Sequence, residues 1–193
     1  MAHQVWKPGT MIYPLPAVLV SCGGDENEYN LFTASWVGTI CTDPAMCYVS
    51  IRPERFSHGI IKRNGAFVLN LTTERMARAV DWCGVRSGAD FDKWKESGLT
   101  PVPAPSVKAP YIKESPLCIE CRVKEILPLG SHDMFMANVA NVLADESFID
   151  PDTNRFMLER AGLIAYSHGH YYSLGKELGR FGWSVMKKKK KRQ

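Results

Sequence analysis

No stretch of this 193-residue sequence approaches the ~20 consecutive apolar residues that a membrane-spanning helix requires. The start, MAHQVWKPG, lacks the charged and then apolar run of a secretory leader. A soluble, cytoplasmic protein is expected. The common nucleotide and hydrolase signatures are missing too: there is no Walker loop, no G-x-G-x-x-G, no H-E-x-x-H and no G-x-S-x-G. Triphosphate, Rossmann, zinc-peptidase and α/β-hydrolase readings therefore lose their usual support.

Cysteine is sparse. Six residues, at 22, 41, 47, 83, 118 and 121, are too few for a disulfide framework in a chain of this length, so reduced thiols are expected. Cys118 and Cys121 form a C-x-x-C pair, but LCIECRVKEI alternates like a strand. Residues three apart on a strand point to opposite faces, so no metal or dithiol site is expected there. Net positive charge is confined to one place: the formal net charge is +4, yet Lys187–Arg192 alone carry +6, leaving the body of the chain at −2. Aromatics do not interleave with those cations, so a solvated end is expected rather than a nucleic-acid or lipid contact.

A 45% apolar composition suits one well-buried core. One domain over 1–186 and a basic tail over 187–193 are expected. Turn signals recur at the spacing of short strands: AVLVSCG (17–23), LFTASWVGTICT (31–42), MCYVSIR (46–52) and AFVLNLTT (66–73) read as strands. A short helix follows Ser57 as its cap and stops near Asn64-Gly65. TERMARAV (73–80), with Met76 and Val80 on one face, and DFDKWKES (90–97) read as further helices. Five prolines make 100–116 an irregular connection. LCIECRVKEIL (117–127) and MFMANVANVLADE (134–146) form a hairpin around PLGSHD, and LIAYSHGHYYSLG (163–175) a second. The pattern predicts a mainly β, Greek-key barrel with short peripheral helices.

Two clusters carry chemistry. In SIRPERFSH (50–58), Ser50 and Arg52 share one face of a strand end, and Ser57 and His58 sit at the expected helix start. An arginine fork, serine hydroxyls and the free amides of a helix N-terminus together suit a phosphate. A plain strand-to-helix turn with solvated arginines is the alternative. In NLFTASW (30–36), small Thr33, Ala34 and Ser35 let a flat ligand approach the backbone beside Trp36, whose amides could bond a polar ring edge. The alternative is a barrel strand with Trp36 in the core.

WKPG, NLFTASWVGTICTDP, YVSIRPERFSHGIIKRNGAFVLNLTTE, DWCGVRSGADFDKW, the GSHDMFMANV hairpin and the closing YYSLGKELGRFGWSV together resemble the flavin reductase-like family, in its flavoredoxin-type branch. The resemblance runs in order over nearly the whole chain. It implies an FMN-binding split barrel that pairs as a homodimer, with the flavin near the subunit interface. It implies flavin contacts from Asn30, Trp36, Ser57, Lys93, His132 and Tyr166; members often carry Thr at the place of Ser57 and Phe at that of Tyr166. Thr33–Trp36 would face the isoalloxazine, and Ser50–His58 the ribityl phosphate side. Lys93 would meet the phosphate or the pyrimidine edge, and His132 the flavin or the incoming donor, as the catalytic candidate. Cys83 is not expected to act as a nucleophile; Gly84 and Gly88 are expected to serve through their backbone.

Electrons would come from NADH or NADPH and pass to oxygen, iron, a monooxygenase or a docking redox protein. A non-catalytic barrel is the rival, holding a pyridoxal-phosphate-type ligand or nucleic acid. The lack of aromatics alternating with Lys and Arg speaks against the nucleic acid.

Overall fold

A computed structural model describes residues 1–186; the expected basic tail, 187–193, lies outside the described residues. Twelve strands dominate: β1 (Leu15–Pro16), β2 (Val18–Cys22), β3 (Asn30–Ala34), β4 (Val37–Cys41), β5 (Met46–Ile51), β6 (Ala66–Leu71), β7 (Pro101–Pro103), β8 (Pro110–Ile112), β9 (Leu117–Pro128), β10 (Asp133–Ala144), β11 (Ile164–Ser167) and β12 (His170–Ser173). Three short helices accompany them: α1 (Phe56–Asn64), α2 (Ala77–Val85) and α3 (Lys93–Ser97). None is long and apolar enough to cross a membrane.

Seven strands form one antiparallel sheet in the order β3-β2-β6-β9-β10-β5-β4. Its two edges, β3 and β4, are consecutive in sequence and joined only by Ser35 and Trp36. Three residue steps span about 11 Å at most, so the edges are brought together at that bend and the sheet curls into a split barrel. The mainly β, Greek-key expectation holds. The single strand expected over 31–42 does not, because its halves pair with different neighbours, β3 with β2 and β4 with β5.

The barrel interior is filled by Val18, Val20, Phe32, Val49, Ile61, Phe67 and Phe135, all buried. The other face of β2 is buried as well: Leu19 packs with Met76, Val80, Cys83 and Trp94 beneath α2 and α3. Coverage on both faces explains why AVLVSCG is continuously apolar instead of alternating. The C-x-x-C pair divides as its strand pattern requires, Cys121 joining the barrel interior and Cys118 a separate cluster with Val68 and Ala109.

Two further expectations need correction. The helix cap is Arg55 rather than Ser57, with extended dihedrals and no side-chain capping bond. The predicted stop is found, Gly65 taking the left-handed conformation at φ 64° that terminates α1. The proline-rich connection is not irregular throughout: β7 and β8 pair within it, and buried polar groups moor it to the barrel. Asn70 accepts from Ile112 N at 2.9 Å and Ser21 donates to the Pro110 carbonyl at 2.5 Å.

Candidate functional site

The bend at Ser35–Trp36 opens a cavity of about 410 Å³ at the split of the barrel. Thr33, Ala34, Ser35 and Trp36 line one side; Ser50, Arg52 and Arg55 come from β5 and the turn after it, and His132 and Tyr166 from the two hairpins. Outside the ladder, the amides of Ser35 and Trp36 have no hydrogen-bond acceptor among the described residues, while the Trp36 carbonyl accepts from Ser50 N at 2.8 Å. Free amides beside small side chains are what a flat polar ring edge needs.

Trp36 is not a core residue. It is 37% exposed, and its ring lies parallel to that of His132, 5° between planes and 6.3 Å between centroids. Ser131 Oγ holds His132 Nδ1 at 2.9 Å. Tyr166 meets Tyr171 edge-on at 5.7 Å. Burial first, and then the neighbouring Asp81 carboxylate, raise the Tyr171 phenol above its ordinary value, so it stays a donor. Flat rings therefore wall the cavity on two sides.

A second cavity, of about 790 Å³, lies at the other end of β3 and includes Asn30 and Lys93 in its lining. Neither Ser57 nor His58 lines either cavity. Ser57 turns inward and accepts from Asn30 Nδ2 at 2.6 Å. His58 bonds Asp133 at 2.8 Å. The strand–turn–helix segment therefore contributes Ser50, Arg52 and Arg55 to the open cavity, while its two helical polar residues do other work.

Between the cavities stands a cationic wall. Lys93 Nζ donates to the Cys83 carbonyl at 2.7 Å, and Arg55 Nη1 donates to the next carbonyl, Gly84, at 3.4 Å. The two cations thus hang on consecutive carbonyls at the C-terminal end of α2, where the helix dipole favours positive charge. Lys93 is 4% exposed and has no carboxylate partner among the described residues. Burial pulls its ammonium down to about 8, Cys83 opposes the fall, and the like charge of Arg55 adds to it. An ammonium has three donors, and only one of Lys93's is used. Arg63, on the far rim, is by contrast already taken by Glu28. The exposed Arg52–Glu54 pair, at 3.4 Å, is weak and leaves Arg52 available.

Close approaches fix this wall. A Cβ at Gly88 would lie 2.2 Å from Asn30 Oδ1, and one at Gly84 would lie 3.3 Å from Thr33 Cβ. Burial raises the Cys83 thiol, in keeping with a residue that acts here through its carbonyl. Sequence reading singled out neither Arg55 nor Tyr171. Arg55 stands inside the very stretch singled out, but its role depends on the end of α2 reaching it from 29 positions away.

The residues present fit FMN: a ring-sized slot with free amides and aromatic walls, and beside it an unneutralised cationic pair for a phosphate. The flavin reductase like domain model matches residues 10–175. The flavoredoxin of Desulfovibrio vulgaris (Miyazaki F) superimposes with a TM-score of 0.87 at 28% identity, covering 96% of this chain and 100% of that one. An FMN-binding protein of Thermus thermophilus, solved with 1-cyclohex-2-enone, gives a TM-score of 0.77 at 25% identity over 93% of this chain and 98% of that one. An uncharacterised protein of Pyrococcus abyssi is 36% identical over 139 residues, 72% of this chain and 79% of its own.

Proposed function

The chain belongs to the flavin reductase-like family, and from that premise we propose that it binds FMN without a covalent bond and carries electrons from NADH or NADPH to a redox partner protein or a monooxygenase. The observation that carries this reading is the pairing of Arg55 and Lys93 on consecutive carbonyls beside the Trp36–His132 stack. Bound there, FMN supplies the hydride- and electron-accepting ring.

The chain's own residues bind and orient. Arg55 and Lys93 attract the phosphate, Arg52 and Ser50 widen the donor set, and the dianion relieves the repulsion between the two cations. The amides of Ser35 and Trp36 meet the polar ring edge. Tyr166 and Trp36 exclude water from the ring faces, and His132, at the open side, orients the donor. Asn30, held by Ser57, shapes the wall from the second cavity.

A homodimer is part of the proposal. The terminal segments expose Trp6, Ile12, Phe181 and Trp183, and apolar groups so placed are suited to a second copy. The test of the function is the visible absorption of the purified, FMN-reconstituted and desalted protein. A retained flavin spectrum that bleaches anaerobically on adding NADH or NADPH is expected; a colourless protein after desalting, or a spectrum that neither donor bleaches, contradicts the reading.

A further inference from the structure

We infer that the partly buried His58–Asp133 pair is a positioning device that fixes the tip of the β9–β10 hairpin and so holds His132 stacked on Trp36. His58 has a side-chain exposure of 9% and Asp133 of 17%. A buried imidazole needs a polar partner, and this one has Asp133 Oδ2 at 2.8 Å from Nε2. Its ring also meets Phe135 edge-on, 82° between planes and 5.1 Å between centroids. Positions 133 and 135 share a face of β10, so two side chains of one strand clamp the ring of α1.

Asp133 is in register with Ile51 of β5, but on the β9 side the tip is loosely closed. Asp133 opens β10, and opposite it on β9 stands Pro128, which has no N–H to give to the ladder. Beyond that pair, the tip is closed by one backbone bond, Leu129 N to the His132 carbonyl at 2.9 Å. Gly130, at φ 100°, adds no side chain to stiffen it. The pair with His58 ties the base of this tip to a helix outside the hairpin. The adjoining residue, His132, turns the other way, onto Trp36. Helix α1 thereby serves both ends of the site, Ser57 holding Asn30 and His58 holding the hairpin.

The consequence for flavin reduction rests on the function proposed above; the consequence for the ring stack does not. His58→Phe keeps the packing on Phe135 and removes the donor. The double variant His58→Phe/Asp133→Leu also removes the carboxylate that would otherwise stay half-buried and unpaired. His58→Gln restores an N–H donor. Trp36 emission is read in the flavin-free protein as the difference from Trp36→Phe in each background, and reduction of bound FMN by stopped flow. A misplaced orienting group costs roughly one to two decades in rate.

The expected result is a changed Trp36 emission in both Phe-containing variants, roughly tenfold slower reduction, FMN affinity within about threefold of the parent, and recovery with His58→Gln. A folded double variant with parental Trp36 emission overturns the inference. So does a parallel loss of affinity, rate and thermal stability that His58→Gln does not recover. Should the parent itself bind no FMN, the proposed function fails, and Trp36 emission still decides the positioning role.

Discussion

Lys93 concentrates the electrostatics of the site in one atom. Its ammonium, held down to about 8 chiefly by burial, is shared between charged and neutral forms near that pH in the flavin-free protein. A phosphate dianion favours the charged form, so binding raises the folded pKa. FMN affinity is therefore full below about pH 8 and falls as pH rises from there toward the pKa of the complex. Titration of flavin fluorescence between pH 6.5 and 9.5 checks this; a parental slope that persists in Lys93→Met would assign the dependence elsewhere. At Gly88 a steric argument applies: Gly88→Ala forces Asn30 Oδ1 away from a Cβ only 2.2 Å off and disturbs the Asn30–Ser57 bond. Weaker FMN binding together with a lower melting temperature is expected, since the Asn30–Ser57 bond is buried, and unaltered affinity would show that Asn30 does not shape the site. Residue types were legible in the sequence where the motif was local, as with Ser50 and Arg52. They were not legible where burial decides, since nothing in DKW announces that Lys93 sits at 4% exposure.

At the scale of elements, the site is made by a broken strand and two hairpins. β3 and β4 part at Ser35–Trp36 because they belong to opposite edges of the sheet. That topology, invisible in a continuous apolar pattern, is why Trp36 faces solvent and why 31–42 reads misleadingly as one strand. The β9–β10 hairpin was legible, since both strands alternate and PLGSHD carries turn residues. What it presents, His132 on Trp36, depends on a contact across the split. The hairpin's place on the open side gives a kinetic prediction. His132→Ala leaves FMN affinity within a few-fold and slows reduction by NADH or NADPH, seen as stopped-flow bleaching. Parental rates in that variant would reduce the hairpin tip to scaffold. Helix α1 shows the limit of capping rules: Ser57 is a favoured cap residue, yet the cap falls two residues earlier, at Arg55, and the hydroxyl serves Asn30 instead.

For the whole molecule, the proposed flavin slot lies at the split of the curled sheet. The apolar residues exposed at the chain's described ends, Trp6 and Trp183 among them, predict that multi-angle light scattering at micromolar concentration finds a homodimer; a stable, flavin-loaded monomer would contradict this. The central claim is that the cationic wall between the two cavities binds the FMN phosphate. The most direct measurement is a fluorescence titration of FMN and riboflavin against the parent and Lys93→Ala. The parent is expected to bind FMN more tightly than riboflavin, and Lys93→Ala to lose about 1.5–3 kcal/mol, one to two decades, on FMN with little change on riboflavin. Equal affinities of the parent for the two ligands, or equal losses on both in Lys93→Ala, would contradict it.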